Sequence, residues 1–523
     1  MDVVDVTRLQ FAVVTIYHYL FVPLSISLAS LTAGLQTASV LTRDPARAQR
    51  LRRSTLLVGK LLLVTFAVGV VTGLVQEFQF GMGWSAFARF YGDVFGPTLA
   101  IEGMLAFFLE ATFLGLWFFG WDRLPRLVHL ATIWVVAVGT LISAYVILGA
   151  NSFMQHPVAY GLDPVTGRAQ LTSFTELMTN PVLLATFPHT VAGAAMLGGA
   201  LLLSVGSWRR WIGPAPAGAA GSPEARSVDP DQRAFAGIAR LGAWTTVAGG
   251  LATALTGDVL GKVMTSVQPM KMAAAEALYT TTTGAPFSLL TIGSLDGSRP
   301  LFSLELPYLL SFLATGEFHS TVQGIDDLQA QYTQTYGPGD YVPVIPLAYW
   351  SFRAMITIGL LAALVAGVYL WLTRSGLDPR EPRASALPFM SQRLFPRPLV
   401  QLSLRMLPTL PLLPAAAGTA GWVFTETARQ PWLAFGLTLT RDGVSPGLTA
   451  GEAWLSLAAF TAVYGVLAVV WLRLVKHLVG QDLADPATAT GSPVVPLPGD
   501  DDEAAPTPDR GRPVQPAAPV TTF

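Results

Sequence analysis

Cysteine is absent from the 523 residues, and only 12% of them are charged. The first absence excludes disulfides, thiolate-held iron–sulfur clusters and CxxCH attachment, so any redox centre must be held by histidine, methionine or carboxylate. Low charge, with 52% hydrophobic residues and a mean hydropathy of +0.49, excludes an ordinary soluble domain. A net charge of −1 gives no electrostatic basis for binding nucleic acid. Histidine is scarce too, at six. The first residues lack the basic region and cleavage site of a removable signal peptide, and the first apolar run is too long for one. It reads as a retained helix.

What is present is long apolar runs. Counting stretches of about 20 residues predicts an all-α polytopic membrane protein with about nine transmembrane helices. Their expected limits are 11–41, 54–77, 95–121, 127–150, 181–207, 236–258, 349–373, 401–428 and 452–475. The connector after the first span carries Arg43, Arg47, Arg50, Arg52 and Arg53. Arg123 and Arg126 follow the third span, and Arg209 and Arg210 the fifth. Arg374, Arg380, Arg383, Arg393 and Arg397 follow the seventh. Intervening connectors are poor in Lys and Arg, so the positive-inside rule places the N-terminus outside and the C-terminus in the cytoplasm.

The chain then divides into transmembrane helices over 1–258, an extracytoplasmic loop over 259–348, further transmembrane helices over 349–475 and a cytoplasmic tail over 476–523. The Pro-, Ala- and Gly-rich connector 213–230 and most of the tail read as disordered. The loop is too long and too patterned to be a turn. Arg405 and the prolines at 408, 411 and 414 predict an irregular inner half for the eighth span.

Two carboxylates, Glu102 and Glu110, lie in the third apolar run with no basic residue. A charge there costs roughly 2.5–3.5 kcal/mol on insertion scales, so such a group faces a protein interior, a water cavity or a cofactor. In a regular α-helix the two are about 12 Å apart along the axis and roughly 80° around it. His18, Glu102, His189 and Met355 lie at similar depths from one side, and Glu426 near the same end of its span. These five fall within roughly 10 Å along the membrane normal. Singly, a histidine can serve as a hydrogen-bonded core residue and Met355 as a gap-filler. Five such groups at one level point to a shared site.

These residues sit in longer strings: RLQFAVVTIYHYLFVPL (8–24), GLVQEFQFG (73–81), GDVFGPTLAIEGMLAFFLEATFLGLWFFGW (92–121), FPHTVAGA (187–194), KMAAAEA (271–277), YWSFRAM (349–355) and GWVFTETARQPW (421–432). In order and spacing they resemble subunit I of the cytochrome bd quinol oxidases, in its short quinol-loop form. The family's GRQPW reads ARQPW here, with Arg429 retained.

The resemblance implies three haems: a low-spin haem b of b558 type, a high-spin haem b of b595 type and a haem d. His189 and Met355 match the axial ligands of the low-spin haem. His18 and Glu426 match the ligands of the other two, with His18 assigned to haem d and Glu426 to high-spin haem b, or the reverse. Arg353, Trp422 and Arg429 match positions around the haems, and Lys271, Glu276 and Asp258 match positions at the quinol site. Glu102 and Glu110 would carry protons from the cytoplasm. Without the resemblance, Lys271 and Glu276 read as a solvated pair on a surface helix.

The implied activity is electrogenic quinol oxidation at the outer face with oxygen reduced to water, without a proton pump, in a bacterial plasma membrane. The implied partners are subunit II, a small single-helix subunit, quinol, oxygen and lipid. A haem–copper oxidase needs more intramembrane histidines once His129, His156, His319 and His477 are placed at span ends, loops or the tail. A carboxylate-gated transporter accounts for Glu102 and Glu110 but not for His18, His189 and Met355. Another haem b quinone oxidoreductase is the remaining alternative.

Overall fold

A computed structural model describes residues 2–211, 230–294, 297–374 and 404–483. The expected disordered connector, apart from Pro230, and the tail beyond Leu483 lie outside the described residues, as do Arg380, Arg383, Arg393 and Arg397. In chain order the helices are α1 (Val3–Leu41), α2 (Pro45–Met82), α3 (Ser85–Ala100), a π-helical segment (Ile101–Phe107), α4 (Phe108–Phe119), α5 (Arg126–Gln155), α6 (Phe174–Met178) and α7 (Pro181–Trp211). They continue with α8 (Pro230–Val267), α9 (Pro269–Glu276), α10 (Leu309–Thr315), α11 (Ile325–Tyr336), α12 (Ile345–Leu372), α13 (Leu412–Thr427) and α14 (Ala450–Gly480). The strands are β1 (Tyr160–Leu162), β2 (Ala169–Leu171), β3 (Thr282–Thr283), β4 (Phe287–Gly293), β5 (Pro300–Leu306), β6 (Thr321–Val322), β7 (Trp432–Ala434) and β8 (Thr438–Leu439). They form four two-stranded antiparallel sheets, β1–β2, β3–β6, β4–β5 and β7–β8.

The chain is a polytopic membrane protein of the all-α class. Among the described residues, seven helices are long and apolar enough to cross a membrane: α1, α2, the α3–α4 stretch, α5, α7, α12 and α14. The expected spans at 236–258 and 401–428 correspond to α8, which is 38 residues long but more polar, and to α13, which has only 16 residues. Before α13 the backbone forms a 3₁₀ turn at Leu407–Thr409, with Pro408 inside it and Pro411 at the next helix boundary. This is the irregularity that the prolines predict.

Helices begin earlier than apolar counting places them, because polar caps prolong them past the apolar run. Asp2 accepts the N–H of Asp5 ahead of α1, and Asp44 caps α2 with Pro45 at its first position. Thr449 and Glu452 form a reciprocal capping box at the start of α14. Its far end is clamped. Arg209 bonds Gly480 O and Asp482, while Arg53 pairs with Asp231 at 2.7 Å and donates to Leu483 O. The described loop residues between α8 and α12 are ordered into α9 to α11 and two of the sheets.

Helices α7 and α8 meet along a glycine seam. A Cβ on Gly199 would lie 2.6 Å from Thr246 N, and one on Gly249 would lie 2.7 Å from Met196 N. Neither contact leaves room for a side chain, so the two backbones touch directly. Gly237, also on α8, has nothing within 4 Å of its would-be Cβ. We expect Gly199→Leu to cost at least about 2 kcal/mol by overpacking, read as a lowered Tm of the solubilised protein, while Gly237→Leu leaves the Tm unchanged.

Candidate functional site

His18 and His189 occupy similar settings. His18 Nδ1 lies 3.0 Å from Thr72 Oγ1, and the ring also bonds the Gly69 backbone. His189 Nδ1 lies 3.3 Å from Thr256 Oγ1, and the ring also bonds the Thr253 backbone. In each case a neighbouring helix fixes the imidazole orientation. This is the support that a metal-binding histidine requires. A Cβ on Gly73 would lie 3.0 Å from His18 Cε1, and one on Gly257 3.2 Å from His189 Cε1. Met355 meets a third glycine, since a Cβ on Gly421 would fall 2.8 Å from its Sδ.

Glu426, on α13, receives Arg429 Nη2 at 2.6 Å on one oxygen and Asn151 Nδ2 at 3.0 Å on the other. Arg429 is buried, with Nε and Nη1 lacking a partner among the described residues, and the Trp422 indole N–H is unpartnered as well. Trp422 lies near Tyr19, the neighbour of His18, with ring centres 5.7 Å apart.

Glu102 lies inside the π-helical segment, where Ser143 donates to its Oε1 at 3.4 Å. Gly96-Pro97 just before the segment and Gly103 within it weaken the α ladder there. The regular 80° projection between Glu102 and Glu110 therefore does not hold, because i→i+5 bonding places fewer degrees between successive residues. Glu110 is 7% exposed, its Oε1 has no partner among the described residues, and a Cβ on Gly139 would lie 3.0 Å from its Cγ. Glu102 is within electrostatic reach of both Glu110 and Glu77. Glu77 belongs to the GLVQEFQFG string but stood out from it only once the fold placed it.

At the end of the bundle that carries the long loop, Lys271 and Glu276 share the short helix α9, and both are buried. They do not form a solvated pair. Lys271 Nζ donates to Gln155 Oε1 at 2.5 Å, and burial, helped by the Arg429 cation and opposed by Glu426, lowers its pKa to about 7. Glu276 takes Arg353 Nη2 at 2.6 Å and the Ser288 N–H at 3.4 Å. Burial pushes its carboxyl up, against the pull of Arg353. The Arg353 guanidinium is 4.5 Å from the Phe287 ring centre and 4.9 Å from that of Tyr349, and its Nε and Nη1 lack partners among the described residues. Asp258 pairs with Lys262, one turn along α8, rather than with Lys271.

Lys271 also lines a small cavity of about 10 Å³ with Gln268, Tyr332, Tyr341, Arg429 and Trp432. Gln268 Oε1, Tyr332 Oη and the Trp432 indole N–H there have no partner among the described residues. Such atoms mark a place for water or a polar ligand. Gln155, Gln268, Thr72 and Thr256 are neutral side chains without periodic signal, and sequence reading missed them.

Among the described residues no group of three or more His, Cys, Asp and Glu is placed to hold a bare metal ion. The donor set instead suits macrocycle-held iron, which needs one or two axial ligands from the protein. The unpaired guanidinium nitrogens of Arg353 and Arg429 suit carboxylate side groups.

Residues 6–483 match the family model described as cytochrome bd terminal oxidase subunit I. The chain is 37% identical over 476 residues to cytochrome bd ubiquinol oxidase subunit 1 of Bacillus subtilis (strain 168), covering 91% of this chain and 93% of that protein. It is 32% identical over 532 residues to cytochrome bd-II ubiquinol oxidase subunit 1 of Escherichia coli (strain K12), covering 91% and 96%. The structure of bd oxidase from Geobacillus thermodenitrificans superposes with a TM-score of 0.75 at 26% identity, covering 91% of this chain and 98% of that one.

Replacing Arg353 by Met should strand Glu276, costing about 3–5 kcal/mol while the carboxylate stays charged. Without the guanidinium the carboxyl titrates higher, so the loss shrinks as pH falls from 8 to 5 and the group takes up a proton. Thermal unfolding of Arg353→Met, with and without Glu276→Gln, measures both effects.

Proposed function

The chain belongs to the cytochrome bd terminal oxidase subunit I family, and from that membership we propose that it oxidises quinol at the outer membrane face and reduces oxygen to water with cytoplasmic protons. The observation that carries this reading is the matched cradle of His18 and His189, each oriented by a threonine and facing a glycine. His189 and Met355 would hold a low-spin haem b. His18 and Glu426 would hold haem d and a high-spin haem b, in either order. Bound haem supplies electron transfer and the reduction of oxygen.

The residues of the chain do the rest. Arg353 and Arg429 offer free N–H groups to haem carboxylates, and Trp422 walls the site. Lys271, neutral above pH 7, accepts a hydrogen bond or proton from a quinol hydroxyl, and Glu276 takes the second. Asp258, paired with Lys262 at the membrane edge, would pass protons to the outer solvent. Glu110 and Glu102 relay protons inward, with Ser143 holding Glu102. Two quinols yield four protons outside and four electrons, while one oxygen takes four protons from inside to give two waters. This separation builds a proton-motive force with no pump.

In this reading the N-terminus is outside, 1–258 and 349–475 are membrane segments, 259–348 is the quinol loop and 476–523 a cytoplasmic tail. Helices α3–α4 and α14 expose large apolar side chains, among them Met104, Phe108, Leu116, Trp454, Leu455 and Val466, suited to lipid and subunit II. A small single-helix subunit and a bacterial plasma membrane complete the assignment.

The test is a reduced-minus-oxidised spectrum of the purified complex. We expect three haem signals including a long-wavelength chlorin band. His189→Ala or Met355→Leu should remove the low-spin signal while sparing most of the high-spin pair; no haem signal at all in the unmutated complex rejects the reading. A second test follows Lys271. Its quinol kcat/KM should rise about tenfold between pH 6 and 8 as the amine loses its proton, and Lys271→Met should flatten that rise.

A further inference from the structure

The β4–β5 hairpin of the long loop is built inside out for water. Its register sets Leu290 opposite Leu304 and Ile292 opposite Phe302, and Thr291 opposite Ser303 between them. Because strand side chains alternate, the two apolar pairs share one face and the Thr–Ser pair takes the other. On β4 the polar face is the covered one, while Ser303 and Glu305 opposite it on β5 are exposed. Ser288 and Thr291 are buried, bond each other at 2.7 Å, and meet the Tyr349 hydroxyl, which lies 2.7 Å from Ser288 Oγ and receives the Thr291 N–H at 2.6 Å. The apolar face is bare: Ile292, Phe302 and Leu304 are 49%, 53% and 52% exposed, and Leu289 and Leu301 are exposed beside them.

A two-stranded hairpin is marginal in water, and a flat apolar one with free edges invites aggregation. The contacts to α12 fix its depth. Tyr349 and Arg353, which hold the hairpin through Ser288, Thr291 and Phe287, lie in the opening turns of a helix apolar enough to cross a membrane. Beside them Leu347 and Trp350 are also exposed, so α12 too presents large apolar side chains in the turns that hold the hairpin.

We propose that the β4–β5 hairpin lies in the outer leaflet of the bilayer, its Leu290, Ile292, Phe302 and Leu304 face against acyl chains and its Ser288–Thr291 face against α12. Phe287 and Ser288 touch Arg353 and Glu276, so the hairpin forms the wall between lipid and the buried pair and offers an apolar molecule a lateral way in. The inference rests on the membrane-spanning reading of α12; only its last clause rests on the quinol assignment.

The cysteine-free chain makes the test direct. Leu304→Cys and, as a second position, Ile292→Cys are labelled with NBD in the intact oxidase complex and reconstituted into phosphatidylcholine–phosphatidylglycerol vesicles. Gln334→Cys, on an exposed face of α11, reports water. We expect doxyl-phosphatidylcholine to cut hairpin emission about twofold and aqueous iodide to leave it nearly unchanged, with the reverse at Gln334. Iodide quenching at both hairpin sites overturns the proposal. So does protection from both quenchers, which places a protein partner on this face. Label quenching does not depend on turnover, so failure here is separable from failure of the quinol reading.

Discussion

The contact on which the loop end of the molecule depends is the buried ion pair between Arg353 and Glu276. One partner belongs to a membrane helix and the other to a short helix of the loop, and both are withdrawn from water. Such a pair contributes little net stability, since desolvation consumes most of the Coulomb gain, but it tolerates no displacement. Around it the loop takes its position. Phe287 stacks on the guanidinium, Ser288 donates to the carboxylate, and Tyr349 closes the hairpin on the same helix. The pair acts as a pin between membrane helix and loop, alongside the Tyr349 bonds to the hairpin.

The same economy governs the bundle interior. Three of the four candidate iron ligands, His18, His189 and Met355, are flexible or reorientable side chains made rigid by small neighbours: threonine hydroxyls against the two imidazoles and glycines against both rings and the thioether. Hydroxyls fix direction, and glycines leave room beside the ligand. Farther along the same α7–α8 pair, away from His189, glycines instead bring backbones into contact.

Much of this was legible in the sequence because a polar group in an apolar run declares itself without its partners. His18, His189, Glu102 and Glu110 stood out in this way, and the arginine asymmetry suggested an orientation. Met355, Lys271 and Glu276 did not; only their place in longer strings raised them above gap-filler and surface charge. What stayed hidden has physical reasons. The partner of Lys271 is Gln155, 116 positions away, and nothing in either neighbourhood encodes that meeting. Helix α13 is short because prolines break its approach, so an apolar count overstates it. The π-helical turn leaves no compositional mark, since it concerns which carbonyl a given N–H chooses.

That turn has a consequence for how the helix can change. A π-helical stretch is what results when one surplus residue is lodged in an α-helix without breaking it, and here the surplus lies between two acids. Removing a single residue from Ile101–Phe107 would let the segment relax to α geometry while everything beyond it keeps nearly its present angle, because the wider turn absorbs the roughly 100° that one α-helical residue adds. Chain length can therefore shorten by one residue at this place with Glu110 still beside Gly139, whereas the same deletion in a regular stretch of the helix would swing the acid by about 100°.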